Sequence, residues 1–196
     1  MLLLAALIAA PAARADGDPA SDVLIDHRVF YPYMLKPPKA SATKLEATIA
    51  KATKGGYPVR VAMIGDVYDL GSAGLLMDKP QVYAKFLATE LAQFNAEWVL
   101  IVMPAGYGIY HCVGKKGFGP CETGRPTGAD ERLLKSLPPP KRDLAAAGDV
   151  AVRRLAEAHG VSFGGGPLKL VVAAVVVAAL AAGGVLLMRR RKRTRA

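Results

Sequence analysis

Charge is scarce in this chain, and cysteine and histidine are scarcer still. Only 21% of its 196 residues are Asp, Glu, Lys or Arg, against 52% hydrophobic, which excludes a disordered or coiled-coil protein. The length suits one domain of ordinary size. No acidic residue occurs before Asp16 or after Glu157, and that absence bears on the formal charge of +10. Six of the 26 basic residues crowd the last eight positions, and Arg14 and Lys169 lie by the two apolar ends. Between Asp16 and Gly166, 18 basic residues meet 16 acidic ones. The folded part is therefore nearly neutral, and nucleic acid is not an expected partner.

Several catalytic signatures are missing too. The glycine-rich stretch 65–74 (GDVYDLGSAG) lacks the Lys-Ser/Thr ending of a P-loop, and Gly114-Lys115-Lys116 lacks both the spacing and the hydroxyl. Gly71-Ser72-Ala73-Gly74 is not a nucleophile elbow, because Ser72 directly follows a glycine. His27, His111 and His159 share no motif with a serine; His159 falls at a helix end, where an imidazolium would meet the negative dipole pole. No internal repeat is evident.

What the sequence does carry begins with its two ends. Residues 1–10 (MLLLAALIAA) form an apolar run too short to span a bilayer as a helix. Ala13-Arg14-Ala15 follows, with small residues at the two positions a signal peptidase inspects, so 1–15 reads as a secretory leader. A second run opens at Leu170 and closes at Met188, 19 residues without charge. As a helix it would extend about 28 Å, close to the hydrocarbon thickness. In lipid a helix bonds its backbone amides internally, which offsets the helix-weakening valines. Arg189, Arg190, Arg191, Lys192, Arg193 and Arg195 come directly after, and positive flanks stay on the cytoplasmic side. The expected organisation is a signal peptide (1–15), an extracytoplasmic domain (16–161), a linker (162–169), one transmembrane helix (170–188) and a basic cytoplasmic tail (189–196). This places the chain in the cell membrane as a single-pass protein, its tail attracted to anionic membrane lipid.

Cys112 and Cys121 are the only cysteines. In an exported domain such a pair is expected to form a disulfide, and the intervening glycines and proline let the loop bend. Closing it constrains the unfolded chain by roughly 2–3 kcal/mol. The competing reading is a metal site built from His111, Cys112 and Cys121, but a structural zinc site wants four ligands in recognisable clusters, and no C-x-x-C or H-x-x-x-H is present.

Between the ends, helices and strands alternate, which predicts a small α/β layer fold, a sheet with flanking helices. Residues 23–33 read as a strand or extended arm. Thr43-Lys44-Leu45-Glu46 has capping-box spacing and predicts a helix start, with Leu45, Ile49 and Ala52 on its inner face and Gly55-Gly56 as its stop. Residues 59–64 read as a covered strand interrupted by Arg60, and 65–74 as a loop. Asp78 and Pro80 predict a helix whose stripe is Val82, Tyr83, Phe86, Leu87, Leu91 and Phe94. Residues 98–103 (WVLIVM) read as the central strand, and Gly106-Tyr107-Gly108 as a turn before a further strand. A short helix is expected around 129–137 and a longer one over 143–159.

Asp66 and Asp69 are the most suggestive polar residues. They follow a buried strand, at the edge of an α/β sheet where sites gather. Two carboxylates three apart could share a hard cation such as calcium with loop carbonyls. Alternatively, each turns the chain by bonding nearby backbone amides.

The order of these features resembles the TPM-domain family, which includes thylakoid photosystem-repair proteins and bacterial membrane-anchored relatives. The resemblance runs over roughly 20–108. It rests on a leader, Ser21-Asp22, a helix ending in glycine, Val59-Arg60-Val61-Ala62, Tyr83-Ala84-Lys85-Phe86-Leu87, an apolar strand and Gly106-Tyr107-Gly108. The chain departs from the family pattern at Asn95-Ala96-Glu97, where Asp-Asn-Gly is usual, and at Pro104-Ala105, a shortened hairpin. The resemblance implies an α/β sandwich outside the cytoplasm, a role in upkeep of membrane complexes and, in some members, divalent-ion binding and phosphatase activity. Two functions are therefore expected. One is a non-catalytic interaction or accessory protein of the cell envelope with envelope-protein partners. The other is a phosphatase dependent on calcium or magnesium held by Asp22, Asp66 and Asp69.

Overall fold

The computed structural model describes residues 17–92, 94, 97–112 and 127–163. The leader, Cys121, the apolar run from Leu170 to Met188 and the cations after it lie outside the described residues. The elements are α1 (Pro19–Asp26), β1 (Val29–Phe30), α2 (Lys39–Lys54), β2 (Val59–Met63), a 3₁₀ segment (Val67–Leu76), α3 (Pro80–Leu91), β3 (Trp98–Met103), β4 (Gly106–His111), α4 (Gly128–Lys135) and α5 (Leu144–Ala158). The described chain is thus α/β, a four-stranded mixed sheet with flanking helices.

The sheet runs β1-β2-β3-β4, with β1, β2 and β3 parallel and β4 antiparallel to β3. All six residues of β3 are buried, as a strand covered on both faces requires. On one face Ala62, Ile64, Val99, Ile101 and Met103 pack with Ala20 and Leu24 of α1 and with Tyr83, Leu87 and Leu91 of α3. Alternate residues turn to the other face, covered by α2 and α5. There Gly148 of α5 sits close to both Leu45 and Val102. The α2–α5 seam holds a buried carboxylate: Asp149 accepts from the Thr48 hydroxyl and from Lys44 Nζ at 2.9 Å. An unpaired buried charge would be strongly destabilising; this one is paired.

The strands follow one another across the sheet in a single direction, yet α2 and α3, which join them, cover opposite faces. The two crossovers are therefore of opposite hand, whereas about 98% of such connections are right-handed.

Five expectations from the sequence are corrected. Residues 23–26, expected to be extended, belong to α1, which starts at Pro19 because Asp18 caps it through the Ala20 amide and Pro19 occupies the first turn. Helix α2 starts at Lys39, directly after Pro38, so Thr43 lies inside it and caps nothing. Asp78 does not cap α3; its φ is +62° and the N-cap is Lys79. Gly106-Tyr107-Gly108 belongs to β4, and Pro104-Ala105 makes the turn. The buried stripe of α3 is narrower than the sequence suggested, since Val82 is exposed and Phe94, also exposed, lies past the end of the helix.

Helix α3 also guards an edge. Strand β4 ends the sheet, and the Gln81 side chain bonds its outer backbone: Nε2 donates to the Ile109 carbonyl at 2.9 Å and Oε1 accepts from the Ile109 amide at 3.0 Å. One amide side chain thus substitutes for a further strand, blunting the edge against pairing. This approach requires Gly108, where an added Cβ would lie 2.0 Å from the Pro80 carbonyl oxygen. Gly108→Ala is expected to lower stability by roughly 2–4 kcal/mol, because rigid backbone must shift. Gly128→Ala, with nothing near the new methyl, should be close to neutral in the same chemical denaturation experiment.

Candidate functional site

Asp66 and Asp69 lie just past the C-terminal end of β2, at the sheet edge where α/β proteins place their sites. The Asp69 carboxylate is wholly buried. Its Oδ1 accepts from the Tyr33 amide at 2.8 Å, and its Oδ2 from the amides of Gly65 at 2.7 Å and Asp66 at 3.1 Å. Asp66 in turn accepts from the Tyr68 amide at 2.8 Å, completing a capping box for the 3₁₀ segment. These bonds give both aspartates a chain-turning role. Asp22 is exposed in the first turn of α1. Among the described residues, no group of three or more His, Cys, Asp or Glu side chains is placed to hold a metal ion.

Asp69 joins two loops, 31–38 and 64–79, because one carboxylate bonds amides from both. The loops lift large apolar side chains into water: Met34 is 75% exposed, Tyr68 76% and Leu75 88%, with Tyr33, Leu35 and Val67 also exposed. Leu35 reaches back over Gly65. Exposed apolar side chains concentrated this way are a feature of contact surfaces in other proteins.

Beside these loops lie two cavities that share Tyr31 and Glu46. One, of about 500 Å³, is lined by Tyr33, Lys36, Lys39 and Thr43 among others. The second, of about 770 Å³, runs between Val23 and His27 on one side and Ile49, Thr53 and Lys54 on the other. The Tyr31 hydroxyl donates to Glu46 Oε1 at 2.7 Å; burial first, then that carboxylate, hold the phenol well above the ordinary tyrosine range.

The opposite end of the strands gathers a ring cluster. Trp98 stacks on His111 at 4.5 Å and on Tyr57 at 5.3 Å, and Tyr57 stacks on His159 at 4.8 Å. His159 is the C-cap of α5, as its sequence position implied, and its Nε2 lies 3.0 Å from Asp130 of α4. The Tyr57 hydroxyl is buried without a hydrogen-bond partner among the described residues, and burial, then Asp130, push its pKa upward. Sequence reading missed this cluster because its members come from five separate segments, and no spacing links them. Nearby, Arg60 Nε and Arg28 Nη1 both bond Glu97 Oε2 at 3.0 Å, while Arg60 Nη1 donates to the carbonyls of Leu24, Ile25 and His27. The arginine that interrupts β2 therefore caps the negative end of α1. Cys112, just past β4, is buried in the core on the α3 side and is not a free thiol; Cys121 lies outside the described residues.

No protein-family model, curated protein or solved structure matches this chain.

The two aspartates should separate cleanly on substitution. Asp69→Ala strands three backbone amides and is expected to destabilise by roughly 3 kcal/mol or more. Asp66→Asn preserves a good N-cap and should stay within about 1 kcal/mol of the parent in the same denaturation measurement.

Proposed function

We propose that this chain is a single-pass membrane protein of the cell envelope, related to the TPM-domain family, whose extracytoplasmic α/β domain acts by binding rather than by catalysis. The observation that carries this reading is the state of Asp69. A carboxylate saturated by three backbone amides is committed to holding two loops, and beside it stand exposed apolar side chains and a groove. Two of the segments that carry the resemblance, Val59-Arg60-Val61-Ala62 and Tyr83-Ala84-Lys85-Phe86-Leu87, lie in β2 and α3.

The anchor rests on the sequence of 170–188 and the cations that follow it. Among the described residues no helix is long and apolar enough to cross a membrane. Export would also provide the oxidising surroundings in which Cys112 pairs with Cys121.

A reporter enzyme active only outside the cytoplasm, fused after Ala196, is expected to be silent, and its activity would overturn the topology. The full-length protein in detergent is expected to release no p-nitrophenol from p-nitrophenyl phosphate above blank, with or without calcium or magnesium. Turnover that Asp66→Asn abolishes would replace binding by metal-dependent hydrolysis.

A further inference from the structure

Strand β1 forms the other edge of the sheet, and no described strand pairs with its outer side; Val29 is 8% exposed there. The cavity of about 770 Å³ touches Val23 and His27, from α1 and its cap, and also Ile49 and Thr53 of α2. Because α1 and α2 lie on opposite faces of the sheet, a space bounded by both opens at the sheet's rim, alongside β1. Strand geometry fixes what β1 offers there. The Arg28 carbonyl accepts from the Val61 amide at 2.9 Å, so Arg28 points its backbone inward toward β2. By the two-residue alternation Val29 turns its amide and carbonyl outward, and Val29 and Tyr31, the residue that follows the strand, both line the cavity. The Thr53 hydroxyl, buried in the same wall, has no hydrogen-bond partner among the described residues.

The rim is charged in one sense. Lys36, Lys39 and Lys54 line the paired cavities, and none forms an ion pair among the described residues. The acid facing them is Glu46, already engaged by the Tyr31 hydroxyl. The chain's own segments outside the described residues are poor occupants. Residues 113–126 hold Lys115, Lys116 and Arg125 against Glu122, residues 1–16 are neutral, and 164–196 contain only cations. A second copy pairing edge to edge would set like charges against each other.

We infer that the β1 rim receives an extended, acidic segment of a partner protein, which adds as a strand to β1 with its carboxylates on Lys36, Lys39 and Lys54. Main-chain bonds to the outer side of β1 give affinity, and the lysines give the sign of the charge. This inference rests on the binding role proposed above and names the chemistry of its partner.

The test uses full-length protein in detergent and a fluorescent peptide of four Glu-Val repeats, followed by anisotropy. It is compared with four Lys-Val repeats and with a Glu-Val peptide N-methylated at alternate amides. The Glu-Val peptide is expected to bind at least about tenfold tighter than either. The combined Lys36→Glu, Lys39→Glu and Lys54→Glu variant, changed only at exposed side chains, is expected to weaken Glu-Val binding by about tenfold or more and to favour Lys-Val. Absence of Glu-Val binding overturns the inference, as does equal binding of the methylated peptide. Anionic phosphatidylserine vesicles that compete fully with the peptide would assign the lysines to lipid and overturn it as well. The binding role itself fails separately, by phosphate turnover in the assay above, so the two outcomes are distinguishable.

Discussion

The Asp69 carboxylate is the constraint on which the working edge of this domain depends. Loops leaving the ends of parallel strands have backbone amides that the sheet does not satisfy, and burying them unpaired is costly. One ionised side chain answers three of them, taking Tyr33 from the loop after β1 and Gly65 and Asp66 from the loop after β2. Charge-assisted bonds of this kind are about twice as strong as neutral ones. They fix the loops relative to each other, and only fixed loops can hold Met34, Tyr68 and Leu75 in water instead of collapsing onto the core. Both oxygens of Asp69 are engaged by backbone amides, so a carboxylate that the sequence offers as a metal ligand acts in the fold as a clamp between loops.

The opposite end of the strands is held by a different balance. Arg60 sits in a buried strand, where its charge is tolerated because Glu97 and the carbonyls at the end of α1 surround it. Burial pushes the Arg60 pKa down and the Glu97 charge opposes it. Rings from Tyr57, Trp98, His111 and His159 fill the space beside the sheet's far end. Offset and stacked ring pairs of this type contribute beyond their buried area, about 0.5–1.5 kcal/mol each. One end is thus braced by packing and ion pairs, and the other has apolar and basic side chains on display.

Much of the fold was legible because it is written in local periodicity. WVLIVM forms the buried strand its composition predicts, and the helix expected over 143–159 lies within one residue of the bounds of α5 at each end. Local signals misled where two competed. The β-branched and aromatic residues of 23–33 outweighed the Asp18-Pro19 helix start, yet the helix forms because Leu24 and Ala20 find the α3 side of the core. The Thr43–Glu46 spacing mimicked a cap, but Pro38 begins the helix a turn earlier. The candidate aspartates were found by their place after a strand, and their bonds to nearby amides match the chain-turning alternative; the reach of Asp69 to the Tyr33 amide, 36 positions away, was not legible.

The sequence by itself determined the alternation of elements, the near-neutral charge of the domain and the expectation of an exported, anchored chain. All of these follow from short-range composition and periodicity. Tertiary structure alone decided which face each helix covers, that α2 and α3 cross on opposite sides, and that β1 is an edge with which no further described strand pairs. It also decided that five unrelated segments meet around Trp98. Those outcomes depend on contacts between residues dozens of positions apart, whose free energies are set by packing in three dimensions and leave no spacing for a linear reading to detect.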